Sequence, residues 1–409
     1  MQLIQIQNIF EKKVKLFFIN LIALSSTIPF VAIFPLDSDI QYPIFVLSGL
    51  VVLIDIFYKK FSLIRLEIYF AGLAILSFFY INPLGEFDFR ITKVVGLSCG
   101  FLVFYVFRRY WVLMNPKVII FGIYLNALIV LIEVISFEIY LRLVSPFVRV
   151  VKADYGGLER GFHGLMAEPS FLGGMAAFFF LISYALHYEK RISNLNFFFL
   201  AIISFVLMVF SKSITSVIFL IPIIFLSIFI IKITNLQKIL LIFLTIIISI
   251  IIVIFIHDSN IRSVDFLMTL ILNPQLLFDL KEDLSIASRL ISLITAGESL
   301  IQGNIFGNGI GSMQFKSFYL LQNSKIFDTQ YSNIIYFAGG FISAISLYII
   351  ELGLFFIILI AWLYSNTSLN AFNLYIRSIS FLYILFTFSI VFPPFWALIA
   401  ITDKFNRKE

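Results

Sequence analysis

The feature that most constrains this chain is the recurrence of apolar stretches long enough to cross a lipid bilayer. A spanning helix needs about 20 predominantly apolar residues, with roughly 17 to 25 tolerated. Eleven segments meet that length, near 16–36, 41–58, 66–82, 91–107, 117–136, 171–188, 195–211, 214–233, 238–256, 342–364 and 374–391. A twelfth, 393–402, is short and opens on Pro393-Pro394, which makes it either a half-span or a kinked continuation of the eleventh. Composition agrees: 61% of residues are hydrophobic and 13% charged, with a mean hydropathy of +1.04, whereas soluble domains carry about 25% charge. The expected fold class is therefore all-α: a polytopic integral membrane protein of 11 to 12 transmembrane helices, forming one membrane domain over residues 1–409.

Lysine and arginine set the orientation, because short positively charged loops stay in the cytoplasm. With the N-terminus inside, 17 basic residues fall on the cytoplasmic side, including Lys12, Lys13, Lys15, Lys59, Lys60, Arg108, Arg109, Lys190, Arg191 and Arg377. Outside the two long loops, the opposite side holds only Arg90, Lys93 and Lys212. Those loops, 137–170 and 257–341, are expected to be extracytoplasmic and to hold most of the polar material. The first segment, after Glu11-Lys12-Lys13, lacks a small-residue cleavage site and is expected to remain as an anchor rather than be removed. The net charge of +6 flanks apolar segments, which argues against nucleic-acid binding. Cys99 is the one cysteine, so neither an intramolecular disulfide nor a cysteine cluster is available; His163, His187 and His257 are scattered, and no metal site is expected. No internal repeat of 20 to 50 residues is visible.

Three polar constellations interrupt the apolar pattern. The first runs from Arg160-Gly161-Phe162-His163 to Glu168-Pro169-Ser170, directly before the sixth segment. Pro169 suits a first helical turn, which leaves Glu168 at the cap, on the positive end of an outward-facing helix that would hold it ionised. Glu168 reads equally as a plain capping carboxylate, and Arg160 as a headgroup-level anchor. The second is Ser211-Lys212-Ser213-Ile214-Thr215-Ser216, a short outer turn whose lysine runs against the positive-inside bias. Hydroxyls and a cation at a helix start make an anion seat; ordinary serine capping beside a snorkelling lysine accounts for it as well. The third comprises Ser288-Arg289, the turn Gly307-Asn308-Gly309-Ile310-Gly311-Ser312, and Glu351-Leu352-Gly353. A glycine-rich turn admits phosphate to backbone N–H groups, though such spacing more often marks a tight turn. Glu351 lies inside an apolar stretch, where an ionisable group is expensive and a functional role is the default, unless its helix begins later and leaves it near the outer interface. Asp55 and Glu133 stand near segment ends, where solvated or snorkelling positions are expected. Asn126 is expected to bond between helices.

In their order and sidedness these elements resemble the bacterial O-antigen polymerase (Wzy) family, relatives of the O-antigen ligases. Arg160 to Ser170 is similar to that family's arginine-glycine and Glu-Pro-Ser element, and Ser211 to Ser216 to its serine-rich turn. Ser288-Arg289, Gly307 to Ser312 and Glu351-x-Gly353 follow in family order, so the resemblance covers about 160 to 355. The chain departs from the family in carrying Ile214 where relatives commonly have arginine, with Lys212 two positions earlier. A histidine that ligases carry in the large loop is not found past His257, which favours polymerase over ligase.

The resemblance implies a metal-independent, cofactor-free glycosyltransferase of the bacterial inner membrane. It would move a glycan from undecaprenyl pyrophosphate to a sugar hydroxyl of a second lipid-linked repeat unit, with a chain-length regulator as a further protein partner. Such chemistry needs a proton acceptor and fixed positive charge for the departing pyrophosphate. The implied catalytic residues are Glu168 as base, His163 to orient the acceptor or assist with the proton, and Arg289. Arg160, Lys212, Ser211, Ser213, Gly309, Gly311 and Glu351 are the implied binding residues. The rival expectations are an O-antigen ligase and a flippase or transporter of the same lipid-linked sugars, the latter disfavoured by the absence of repeats and of midplane polar sites.

Overall fold

The computed structural model describes residues 2–34, 42–58, 60–61, 87–149, 161–230, 284–309, 312, 343–365, 370–387 and 392–405. Among these residues the protein is helical, without strands; Val31 and Val148 form an isolated antiparallel bridge. The helices are α1 (Gln2–Thr27), α2 (Pro43–Phe57), α3 (Phe87–Tyr110), α4 (Pro116–Ile135), α5 (Phe137–Val144), α6 (Pro169–Tyr188), α7 (Asn194–Phe210), α8 (Ile214–Ile230), α9 (Leu284–Ile301), α10 (Ala344–Leu352), α11 (Leu354–Ser365), α12 (Ala371–Leu382) and α13 (Pro393–Phe405). The expected segments 66–82 and 238–256 lie outside the described residues.

Local chemistry sets most boundaries. Proline opens α2, α4, α6 and α13, where its missing N–H costs nothing. Asn115 caps α4 by accepting the Lys117 N–H at 3.0 Å. α1 stops at Thr27, well before the expected 36, because Pro29 cannot continue it. The expected single span 342–364 is two helices: Gly353, at φ +58°, breaks it into α10 and α11. Neither long loop is wholly irregular, since α5 lies within 137–170 and α9 within 257–341. The short segment at 393–402 is an independent helix, and its residues Phe395 to Ile401 are buried.

α6 occupies the centre, with Leu172 to Leu186 buried against α7, α8 and α13. α13 also packs on α3, where Gly100 makes room for the Trp396 indole; a Cβ at position 100 would overlap that ring. α1 and α4 approach closely at Gly122, against Thr27. Asn126 seals that crossing as expected, its Nδ2 donating to the Thr27 carbonyl at 3.0 Å and to Gly122 at 2.9 Å.

Among the described residues two helices, α4 and α6, are long and apolar enough to cross a membrane by length and composition. They differ in burial. In α6, 89% of the apolar window is inside the protein, but in α4 only 33%, so Phe121, Leu128, Leu131 and Ile135 face outward.

One end of the bundle gathers buried ionic contacts. Asp55 is not solvated, as its position near a segment end led us to expect, but fully buried. It accepts from Lys15 Nζ at 2.6 Å, from Tyr105 at 3.0 Å, and from Tyr110 with both oxygens at 2.7 and 2.5 Å. Nearby termini are clasped by an Arg108–Asp403 ion pair and by Arg191, which donates to the Trp111 carbonyl at 3.0 Å. The start of α4 and the end of α6 lie here, so the end of α4 and the start of α6 meet at the opposite end, where the first two polar constellations fold.

Candidate functional site

The opposite end is built around an irregular segment, 161–168, laid over the ends of α4 and α7. Phe162 N–H donates at 3.0 Å to the Phe210 carbonyl, one of the acceptors left open at the end of α7. Gly161 adopts φ +104°, and a Cβ there would overlap the Ser211 carbonyl. Only glycine lets these backbones meet. Gly173, in the second turn of α6, similarly accommodates the hydroxyls of Ser213 and Ser216. Thus the Gly161 to Ser170 stretch and the Ser211 to Ser216 turn, separated by α6 and α7 in sequence, are in direct contact.

Glu133 holds this segment in place. It was expected to be solvated near a segment end, yet it is buried. Its Oε2 accepts from His163 N–H at 2.9 Å and Gly164 N–H at 2.8 Å, and its Oε1 from His163 N–H at 3.1 Å. Oε1 also lies 2.9 Å from His163 Nδ1. Both oxygens accept from backbone donors, and a carboxylate at Glu133 can only accept, in which case Nδ1 carries the proton and donates. The His163 ring is 1% exposed, and its Nε2 has no hydrogen-bond partner among the described residues. The Tyr140 ring, on α5, stacks beside it with centroids 6.4 Å apart, and the Tyr140 hydroxyl is also buried without a hydrogen-bond partner there. Burial first, and the Glu133 charge second, push the Tyr140 phenol well above its ordinary range, so it is a neutral donor. A buried polar atom left unmet costs about 1–3 kcal/mol. Two of them flank one carboxylate–imidazole pair, which makes this the candidate seat for a polar ligand.

Glu168 is the N-cap residue of α6, as Pro169 foretold, with extended backbone at φ −145° and ψ 156°. Its side chain makes no capping hydrogen bond; Oε2 accepts from the Ser170 hydroxyl at 3.3 Å. The serine turn is tightly self-bonded. Ser211 Oγ donates to the Met208 carbonyl at 2.9 Å, Ser211 and Ser213 are 3.1 Å apart, Ser213 and Ser216 3.0 Å apart, and Ser211 bonds Ser216. Ser213 Oγ also accepts the Ser216 N–H at 3.2 Å, which is N-capping of α8. Lys212, half-buried, sits between them in the left-handed region at φ +46°, unusual for a residue with a side chain. The serines therefore have a capping role here, and Lys212 is the charged member of the turn.

The third constellation forms a separate contact. Gly309 N–H donates to the Glu351 carbonyl at 2.9 Å, Asn308 N–H to Ile350 at 2.9 Å, and Leu354 N–H to Ile305 at 2.8 Å. Gly307 (φ +79°) and Gly353 are both required by this backbone approach, since a Cβ on either would strike the other strand of chain. The N–H groups of Gly307 and Gly309 are thus engaged by protein carbonyls. The Glu351 side chain is buried in the last turn of α10. Arg289 lies on α9, with its side chain outside the described residues, as are Arg160 and Gly311 entirely. The described contacts bring His163, Glu168, Ser211, Lys212 and Ser213 to one place and Gly309 and Glu351 to another.

Sequence reasoning missed Glu133 and Tyr140. A signal was present for Glu133: a carboxylate in the last turn of a helix opposes the macrodipole, so strong donors must offset it. Those donors come from 30 residues downstream and leave no local trace. Among the described residues no three His, Cys, Asp or Glu side chains gather closely enough to share a metal ion. Comparison of the chain with protein-family models, curated proteins and solved structures finds no match.

Proposed function

We propose that the chain is a polytopic protein of the bacterial inner membrane that transfers a glycan from undecaprenyl pyrophosphate to a sugar hydroxyl of a second lipid-linked unit, extending a polysaccharide. The membrane part is supported by α4, an apolar 20-residue helix with only 33% of its apolar window buried and with Phe121, Leu128, Leu131 and Ile135 exposed. Such a face is at home in hydrocarbon and a liability in water. The observation that carries the transfer part is the contact between 161–168 and 211–216 at the end of the bundle remote from the Asp55 and Arg108 contacts. It assembles two proton-active side chains, His163 and Glu168, with the N-termini of α6 and α8 and the cation Lys212.

That combination matches the two needs of the reaction. A hydroxyl proton must be accepted, and charge developing on the diphosphate must meet fixed positive potential. Helix N-termini and a lysine provide the latter as a preorganised field; Arg160 and Arg289 are proposed to add bidentate contacts. The test uses purified chain in lipid nanodiscs with synthetic undecaprenyl-diphosphate-linked repeat units, and reads chain growth on gels. Wild type is expected to build a ladder, while Lys212→Ala and Arg289→Ala lose at least about tenfold in rate, as for removal of one charge-stabilising group. Translocation of the lipid-linked units without bond formation refutes the proposal and establishes the flippase reading instead.

A further inference from the structure

The Glu133–His163 pair carries the inference furthest. Most buried side-chain polar atoms find a partner. Of the two His163 ring nitrogens one is met by a carboxylate and the other, among the described residues, is not. Carboxylate, imidazole and an open Nε2 in that order form the arrangement by which a protein fixes one tautomer and offers the distal nitrogen as a base. We infer that Glu133 locks His163 as the Nδ1–H tautomer, and that Nε2, flanked by the Tyr140 ring, accepts the proton of the attacking sugar hydroxyl. This inference rests on the glycan-transfer reading for its substrate. Glu133 is a positioning residue, acting through the imidazole.

The step balances as follows. The hydroxyl proton passes to Nε2 while an oxygen lone pair forms the new bond to the anomeric carbon. The bond from that carbon to the diphosphate oxygen breaks, and its electron pair leaves with the diphosphate. The resulting imidazolium is held by the Glu133 carboxylate until it returns the proton to solvent. Tyr140, a neutral phenol, is placed to donate to an incoming oxygen. Nε2 is closed to solvent in the state described, so the cycle includes a path to it that the acceptor opens while the His163 and Gly164 contacts with Glu133 persist. Glu168 stands instead at the positive end of α6, a position that suits an anion.

Replacing Glu133 by glutamine makes a directional prediction. The two backbone N–H groups of His163 and Gly164 require an acceptor, so the amide oxygen must face them. Its NH2 group then faces Nδ1 and donates, which forces the Nε2–H tautomer and turns the base into a donor. Nitrogen-15 NMR of histidine-labelled full-length chain in nanodiscs reads this directly, with the His163 signal assigned by its loss in His163→Asn. Wild type is expected to show Nδ1–H with unprotonated Nε2. Glu133→Gln is expected to show Nε2–H, unchanged helix content, and a loss of chain growth of about 100-fold or more. Should Glu133→Gln fail to fold, His163→Asn, which leaves Glu133 its two backbone donors, is expected to keep the fold and lose the same activity.

An Nε2–H tautomer or an imidazolium in wild type at the pH of the assay overturns the inference. So does chain growth within about twofold of wild type in a folded Glu133→Gln or His163→Asn protein. If wild type shows the expected tautomer but joins no sugars, the glycan-transfer reading falls and takes the hydroxyl assignment with it, while the tautomer switch separately decides the pair itself.

Discussion

Replacing Asp55 with leucine should destabilise the protein severely, and replacing Lys15 as well should restore much of the loss. Asp55 is fully buried and receives Lys15 at 2.6 Å together with the hydroxyls of Tyr105 and Tyr110, while the Lys15 side chain is 10% exposed. Removing the carboxylate takes the ion-pair partner from a buried ammonium and the acceptor from the buried Tyr105 and half-buried Tyr110 phenols. Breaking a buried pair from one side costs about 3–5 kcal/mol, because the remaining charge is uncompensated. Lys15→Met is milder, since both phenols still serve the carboxylate with charge-assisted hydrogen bonds. In Lys15→Met/Asp55→Leu no charge is left buried, and apolar replacements of buried pairs are often close to neutral. The double mutant should therefore be more stable than Asp55→Leu alone, with a coupling of about 2–3 kcal/mol. Equilibrium unfolding by sodium dodecyl sulfate in mixed micelles, followed by tryptophan fluorescence, measures all four corners of the cycle. An Asp55→Leu loss below about 1 kcal/mol, or additive single-mutant losses, would show that this cluster is a wet surface feature and refute its role as a buried clasp.

Gly161→Ala should lose about 1–3 kcal/mol from positive-φ strain, with overlap of the Ser211 carbonyl in addition, and the Phe162 amide should lose hydrogen-exchange protection; unchanged protection would mean that the segment does not dock on α7. Tyr140→Phe removes a buried hydroxyl that has no hydrogen-bond partner among the described residues, so stability should hold or rise by about 1 kcal/mol while chain growth falls. The same unfolding and gel assays check it, and a less stable, fully active variant contradicts the ligand-seat reading.

What the sequence disclosed and what it hid divide along a physical line. Some features were readable from the chain alone: Pro169 starting α6 with Glu168 at its cap, and Asn126 as a bond between helices. Features that depend on distant backbone were not. Glu133 and Asp55 look like end-of-span carboxylates until the donors from His163, Gly164, Lys15, Tyr105 and Tyr110 are placed around them. Gly353 sits within a stretch read as one span, and the Gly307 turn pressing on it explains why that span is two helices. Of the glycines read as a phosphate cradle, Gly307 and Gly309 lie against the Glu351 backbone. The serine turn was located correctly, but its hydroxyls bond one another in a way that residue spacing alone does not reveal.

The seating of Trp396 on Gly100 has a consequence for biosynthesis. The partner surface of α3 leaves the ribosome long before the residue that covers it, so the nascent chain carries an uncovered groove through most of its translation. A stop codon ahead of Pro393 would release a polypeptide whose earlier helices are all present and whose groove never closes, the kind of product that membrane quality-control proteases remove.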